Sequence, residues 1–139
     1  MMKVAVSSYS FSQAMRDGRL TLKECIAKAK EIGFEAIEFV DFNVTSTLPE
    51  GMTMMEYAKE LRAECDRVGI AVTNFTIGAD FQNRDTAEEV ERVKGMVDIA
   101  EAFGATIISN TYENGKGVIR FDGPVTSIGE YAFYQSGRL

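Results

Sequence analysis

Three glycines set the plan of this chain. Gly33, Gly69 and Gly104 recur at intervals of about 35 residues, the length of one strand-plus-helix unit in a parallel sheet. Each follows a helical pattern and precedes an apolar run, at 34–42, 70–75 and 105–109. A glycine there supplies the left-handed residue that closes a helix without a Cβ penalty and turns the chain into the next strand. The first of these runs alternates until it stops at a carboxylate and an aromatic, Asp41 and Phe42. The repeat predicts an α/β protein of four parallel strands with three long helices. It names an architecture, which many unrelated activities share.

The helices announce themselves at both ends. Thr21 with Glu24, Thr53 with Glu56 and Thr86 with Glu89 have capping-box spacing. Apolar stripes follow each: Leu22, Cys25, Ile26, Ala29 and Ile32, then Met54, Tyr57, Ala58, Leu61, Cys65 and Val68, then Val90, Val93, Val97, Ala100 and Phe103. Strands are expected at 3–9, from 34 through Phe39, at 70–76 and at 104–109, with a loop containing Pro49 and Gly51 after the second. From Asn110 the period stops. Residues 114–117 read as a turn, 118–121 as a short strand and 122–124 as another turn. The expected division is 1–109 for the repeating part and 110–139 for an irregular, β-rich tail that packs on or extends the sheet.

Composition narrows the chemistry. A net charge of −6 over 139 residues argues against a nucleic-acid partner. The start at 3–9 alternates like a strand, without the apolar run of a signal peptide, and no segment is apolar enough to span a bilayer. A cytoplasmic protein is expected. Cys25 and Cys65 fall on core stripes with no CxxC spacing and read as buried, inert thiols. The sequence contains no histidine, which removes the Ser-His-Asp arrangement and imidazole metal ligation together.

Residues 8–11 (Ser-Tyr-Ser-Phe), 29–39, 61–70 and 99–105 together resemble the xylose-isomerase-like TIM barrels, the sugar phosphate isomerase/epimerase superfamily, over residues 1–108. The resemblance implies a half TIM barrel of four parallel β-α units. It also implies a parent activity of metal-dependent isomerisation or epimerisation of a sugar or sugar phosphate. The family's divalent metal is held by acidic residues and a histidine from strands of the C-terminal half. Those ligands are not expected in this sequence, so the chain itself is expected to be inactive. The tail at 117–139, chiefly 123–134, is similar to a single leucine-rich repeat unit of bacterial surface proteins, as a chimera would be. One such unit cannot bury its own face.

Ligands of parallel α/β sheets gather at the carboxyl ends of the strands. That edge should collect Ser8, Tyr9, Phe11, Glu38, Asp41, Asn74, Thr76, Ser109 and Asn110. Carboxylates and amides there would take sugar hydroxyls, with aromatics over the ring. Tyr9, Phe11, Glu38 and Asn74 are the expected substrate-binding residues. For Tyr9 and Phe11 a lid over the core is the more ordinary reading, ahead of a sugar platform. Glu38 is the one catalytic candidate, because alternation with Ile37 and Phe39 points it away from the helices into the barrel interior, where a carboxylate must be paired or used. Asp41 and Asp80 are weighed as oxygen partners of Glu38 for a hard cation, though loop carboxylates are commonly just solvated, and no metal site is assigned. The run 88–92 reads as a solvated helix face.

Two functions compete: a sugar isomerase or epimerase fragment, and a non-catalytic self-associating or binding module. A four-stranded half barrel would leave two open edges. It would also leave the inward side chains Val4 or Ala5, Glu38, Val72 and Ile107 or Ile108 uncovered, so a homodimer is expected.

Overall fold

The computed structural model describes residues 4–104 and the strand residues 110–113 and 116–119. The chain divides into two compact units, Met1–Thr106 and Ile107–Leu139. In the first, β1 (Ala5–Ser7), β2 (Ala36–Val40) and β3 (Ala71–Thr76) form a parallel sheet in that order. Between β1 and β2 lie a 3-10 turn (Ser8–Phe11), α1 (Ser12–Arg16) and α2 (Leu22–Ile32). α3 (Asp41–Ser46) and α4 (Met54–Val68) connect β2 to β3, and α5 (Thr86–Ala102) follows β3. The chain is thus mixed α/β with a three-stranded parallel sheet. The expected fourth strand at 105–109 lies outside the described residues.

The glycine signals hold. Gly33, Gly69 and Gly104 all have positive φ, at 107°, 71° and 85°. Two of the three capping boxes form with both reciprocal bonds, Thr21 with Glu24 and Thr53 with Glu56. At α5 the cap is Asp85, whose carboxylate accepts from the amides of Ala87 and Glu88. Aspartate is at least as good a cap as threonine, and its earlier position starts the helix one residue sooner. That shift leaves Glu89 free of any capping duty. Two short elements were unforeseen. α1 follows the turn after β1, and α3 stands directly after β2 where a loop was expected.

The helices brace one another end to end. Lys30 Nζ on α2 donates to the carbonyl of Gly69 at the end of α4, at 2.7 Å. Arg62 Nη1 on α4 likewise donates to the carbonyl of Phe103 at the end of α5, at 2.8 Å. Both place a cation where a helix leaves carbonyls unpaired and its dipole is negative. A Cβ at Gly104 would meet the Arg62 guanidinium and push it off this bond.

The core lies on one face of the sheet. Val6, Ile37 and Phe39 pack with Leu22, Ile26 and Ala29 of α2, Leu61 and Cys65 of α4, and Ile99 and Phe103 of α5. The rings of Phe39 and Phe103 stack at 4.6 Å, and Phe75 lies 5.2 Å from Phe103. The opposite face carries Ala5, Ser7, Glu38, Ala71 and Thr76, exposed or half-buried. The stripes of α2 and α4 match expectation except at Ile32, which is exposed. That of α5 matches at Phe103, while Val90, Val93 and Ala100 are only half-buried. Its inward positions are Glu89, Arg92, Met96, Ile99 and Phe103, while Val97 is 43% exposed. The valines suggested a face about one residue out of phase with the one the helix buries.

In the second unit, β4 (Asn110–Glu113) and β5 (Lys116–Ile119) pair antiparallel, Asn110 with Ile119 and Glu113 with Lys116. The strand expected at 118–121 therefore begins two residues earlier, at Lys116, and has a partner where an irregular segment was expected. Lys116 and Gly117, expected in a turn, are strand residues of β5. The tail from residue 120, where the repeat-like pattern falls, lies outside the described residues.

Replacing Phe103 by Ala should destabilise the chain by about 3–5 kcal/mol, because the ring is fully buried between two others. Val97→Ala should stay within about 0.5 kcal/mol, as for other surface changes. Denaturant melts of both variants check the assignment of the helical face.

Candidate functional site

An irregularity between β2 and β3 builds the site. Ala36 and Ile37 stand opposite Ala71 and Val72, but Phe39 and Val40 stand opposite Phe75 and Thr76. Two steps on β2 span three on β3, which is a bulge. It puts Val72 and Phe75, three apart, on the helix side. Val72 was expected inward beside Glu38 on simple alternation, and its pairing with Ile37 corrects that.

Beyond the bulge, Asn74 and Thr76 meet Glu38 on the other face. Glu38 Oε1 accepts from Asn74 Nδ2 at 3.4 Å and from Thr76 Oγ1 in a close hydrogen bond. Ser7 of β1 is the register partner of Glu38 on its other side. Glu38 thus points away from the helices as expected, but it is half-buried and held by neighbouring polar groups. Bulges that re-aim side chains are common beside binding sites.

The other strand ends are tied by a buried network. Ser8 Oγ donates to Asn43 Oδ1 at 3.0 Å and accepts from the Val40 amide at 3.0 Å. Asn43 Nδ2 donates to Ser12 Oγ at 2.9 Å. The exit of β1 is thereby fixed to the exit of β2. Asn43 was not singled out in the sequence, where nothing marks a helix directly after Asp41. The two aromatics after β1 part company. Phe11 is half-buried against the core, and Tyr9 is 64% exposed. Ser109 lies outside the described residues, and Asn110 opens β4.

Asp41 and Asp80 do not join Glu38. Asp41 accepts from the amides of Phe42 (Oδ1, 2.6 Å) and Gly78 (Oδ2, 3.1 Å), closing the β2 exit onto the segment after β3. Asp80 Oδ1 accepts from the Gln82 and Asn83 amides, and the Asn83 amide bond is the largest cause holding its carboxyl below the ordinary range. Among the described residues no three Asp, Glu, His or Cys side chains converge to hold a metal ion.

The strongest charge cluster stands where a solvated helix face was expected. Glu89 is 1% exposed. Arg92 donates to it from Nε at 2.9 Å and from Nη2 at 2.7 Å, and the Asp80 amide donates at 2.9 Å. Arg92 Nη2 also bonds the Gly78 carbonyl. Arg92 Nη1 lies 3.9 Å from Asp41, and Arg84 Nη1 lies 3.6 Å from Glu89. A carboxylate removed from water persists only with such partners. The hydrogen bonds from Arg92, then that from the Asp80 amide, hold the Glu89 carboxyl down to about 2 from the usual 4.5. The signal missed in the sequence was Asp85, which frees Glu89 to turn inward.

A carboxyl depressed by folding contributes stability above its unfolded value and loses it as pH falls towards its folded value. The Glu89 contribution should therefore be intact above about pH 4.5 and disappear towards pH 2. Thermal melts by circular dichroism should show Glu89→Gln destabilised at neutral pH, with the gap to the parent chain closing at pH 2–2.5. A gap that is constant with pH would mean that the carboxylate is not paired in this way. No protein-family model matches this chain, and a search of curated proteins returns no match.

Proposed function

We propose that residues 4–104 are the first β-α units of a xylose-isomerase-like barrel, continued by a fourth strand after Gly104, and that they carry the sugar-binding edge of an isomerase or epimerase fold. The observation that carries this is the Glu38–Asn74–Thr76 cluster, at the carboxyl ends of parallel strands and on the face away from the helices. A carboxylate whose Oε1 is fixed by an amide and a hydroxyl offers Oε2 to a ligand hydroxyl. Sugars are held by such groups, with an exposed ring such as Tyr9 available to cover an apolar face.

The divalent cation of the resembled family does not fit the described residues. Glu38 Oε1 is already engaged, and Asp41 and Asp80 are committed to backbone amides elsewhere. No step is routed through a metal. Moving a proton between adjacent sugar carbons also needs an acid and a base placed together. The cluster supplies one carboxylate, which favours binding without turnover in this chain.

A second reading is a self-associating module. Among the described residues β1 and β3 each pair on one side only, and such edges invite pairing with another chain. Val4, 49% exposed beside β1, adds apolar surface there. The dimer expected from the sequence belongs to this reading.

Free and phosphorylated ketoses and aldoses, tested with Mg²⁺, Mn²⁺ or Co²⁺, should show no turnover. They should show weak saturable binding of about millimolar affinity that Glu38→Gln removes. Metal-dependent turnover abolished by Glu38→Gln would establish an active enzyme instead. Absence of any sugar binding would leave the self-associating module, which sedimentation velocity then tests.

A further inference from the structure

We propose that a second cleft, lined by Arg84 and Arg92 and separate from the Glu38 cluster, binds a small oxyanion carried on an apolar body. The cleft has a volume of about 580 Å³, within the range of small-molecule sites. Its apolar wall comes from Phe42, Met54 and Met96, and its polar wall from Asp41, Arg84 and Arg92. Phe42 is 57% exposed, so the wall has a large ring not committed to the core.

The donors define the ligand. Arg92 spends Nε and Nη2 on Glu89 and the Gly78 carbonyl, and among the described residues its Nη1 makes no hydrogen bond. Arg84 makes none either, approaching Glu89 only at 3.6 Å. Both side chains approach the same buried carboxylate, so their guanidinium groups are held near each other. Their remaining N–H groups match the oxygens of a carboxylate or phosphate, which guanidinium groups bind in paired, charge-assisted hydrogen bonds.

The neighbouring acids keep their charges, but most of their oxygens are occupied and leave the free N–H groups of Arg84 and Arg92 unclaimed. Both oxygens of Glu89 are taken by Arg92, with the Asp80 amide on one of them. Both oxygens of Asp80 are taken within its own turn by Gln82 and Asn83. Asp41 is the acid beside the free Nη1 of Arg92, 3.9 Å away without a hydrogen bond to it. It should weaken an anion's hold, and that gives the proposal an effect of unusual sign.

The test is titration of the full chain, followed by amide NMR shifts at low salt, with phenyl phosphate, benzoate and uncharged benzyl alcohol. At least one anion should bind saturably, shifting residues 78–80, 84 and 92, while benzyl alcohol binds far more weakly. Arg84→Gln should weaken the anion about tenfold, the loss expected for a charge-assisted pair, and Asp41→Asn should tighten it. Binding by phenyl phosphate alone identifies a phosphate ester as the ligand class, and binding by benzoate alone identifies a carboxylate. Glu38→Gln should leave the anion's affinity unchanged, which separates this cleft from the sugar-binding reading. No saturable binding by either anion, or affinity unaffected by Arg84→Gln, would overturn the proposal.

Discussion

The bulge between β2 and β3 couples the core to the surface that faces away from it. Had alternation continued from Val72, Asn74 would point at the helices and Phe75 away from them. The extra residue instead sends Phe75 into contact with Phe103, and leaves Asn74 and Thr76 beside Glu38. One irregularity thus completes an aromatic stack and assembles a polar cluster. The helices depend on the stack, because Phe103 closes α5 and its carbonyl receives the brace from Arg62.

Around that sheet the chain repeats a small construction. A threonine or aspartate opens each long helix, a left-handed glycine follows its end, and a basic residue on one helix caps the next. The Lys30 and Arg62 caps are equivalent in position, each reaching from one helix to the end of its successor. The buried Ser8–Asn43–Ser12 network ties the first two strand exits together, and the Asp41–Gly78 bond ties the second to the third. The edge where ligands of α/β proteins gather is therefore held rigidly by polar groups that are themselves satisfied.

Much of this was legible in the sequence, because helix ends obey local chemistry. Gly33, Gly69, Thr21 and Thr53 act on backbone groups within a few residues, and their roles survived folding unchanged. What failed depended on competition or on distance. Asp85 and Thr86 are adjacent caps, and only the folded chain shows which one wins. With Asp85 as the cap, Glu89 has no capping bond to make, and it is buried while Val97 is exposed. The place of Val72 depended on its register opposite Ile37, and that of Phe75 on a bulge with no local signature, since neither glycine nor proline lies between 70 and 76. Glu38 was found as a candidate from alternation alone, yet its partners Asn74 and Thr76 lie 36 and 38 residues away. The turn expected at 114–117 gave way to β5 from Lys116, and its pairing with β4 was not foreseen.

Thiol accessibility along β3 tests the bulge most directly. Single cysteines placed at 72, 74, 75 and 76 can be compared by their rates of reaction with a neutral disulfide reagent. The native thiols give little background, since burial pushes Cys25 up to about 11 and Cys65 up to about 12. With the bulge in place, Asn74→Cys and Thr76→Cys should react rapidly, while Val72→Cys and Phe75→Cys should both be slow. Slow reaction at 74 with rapid reaction at 75 would mean that β3 alternates without interruption. The Glu38 cluster and the Phe75–Phe103 contact could not then exist together.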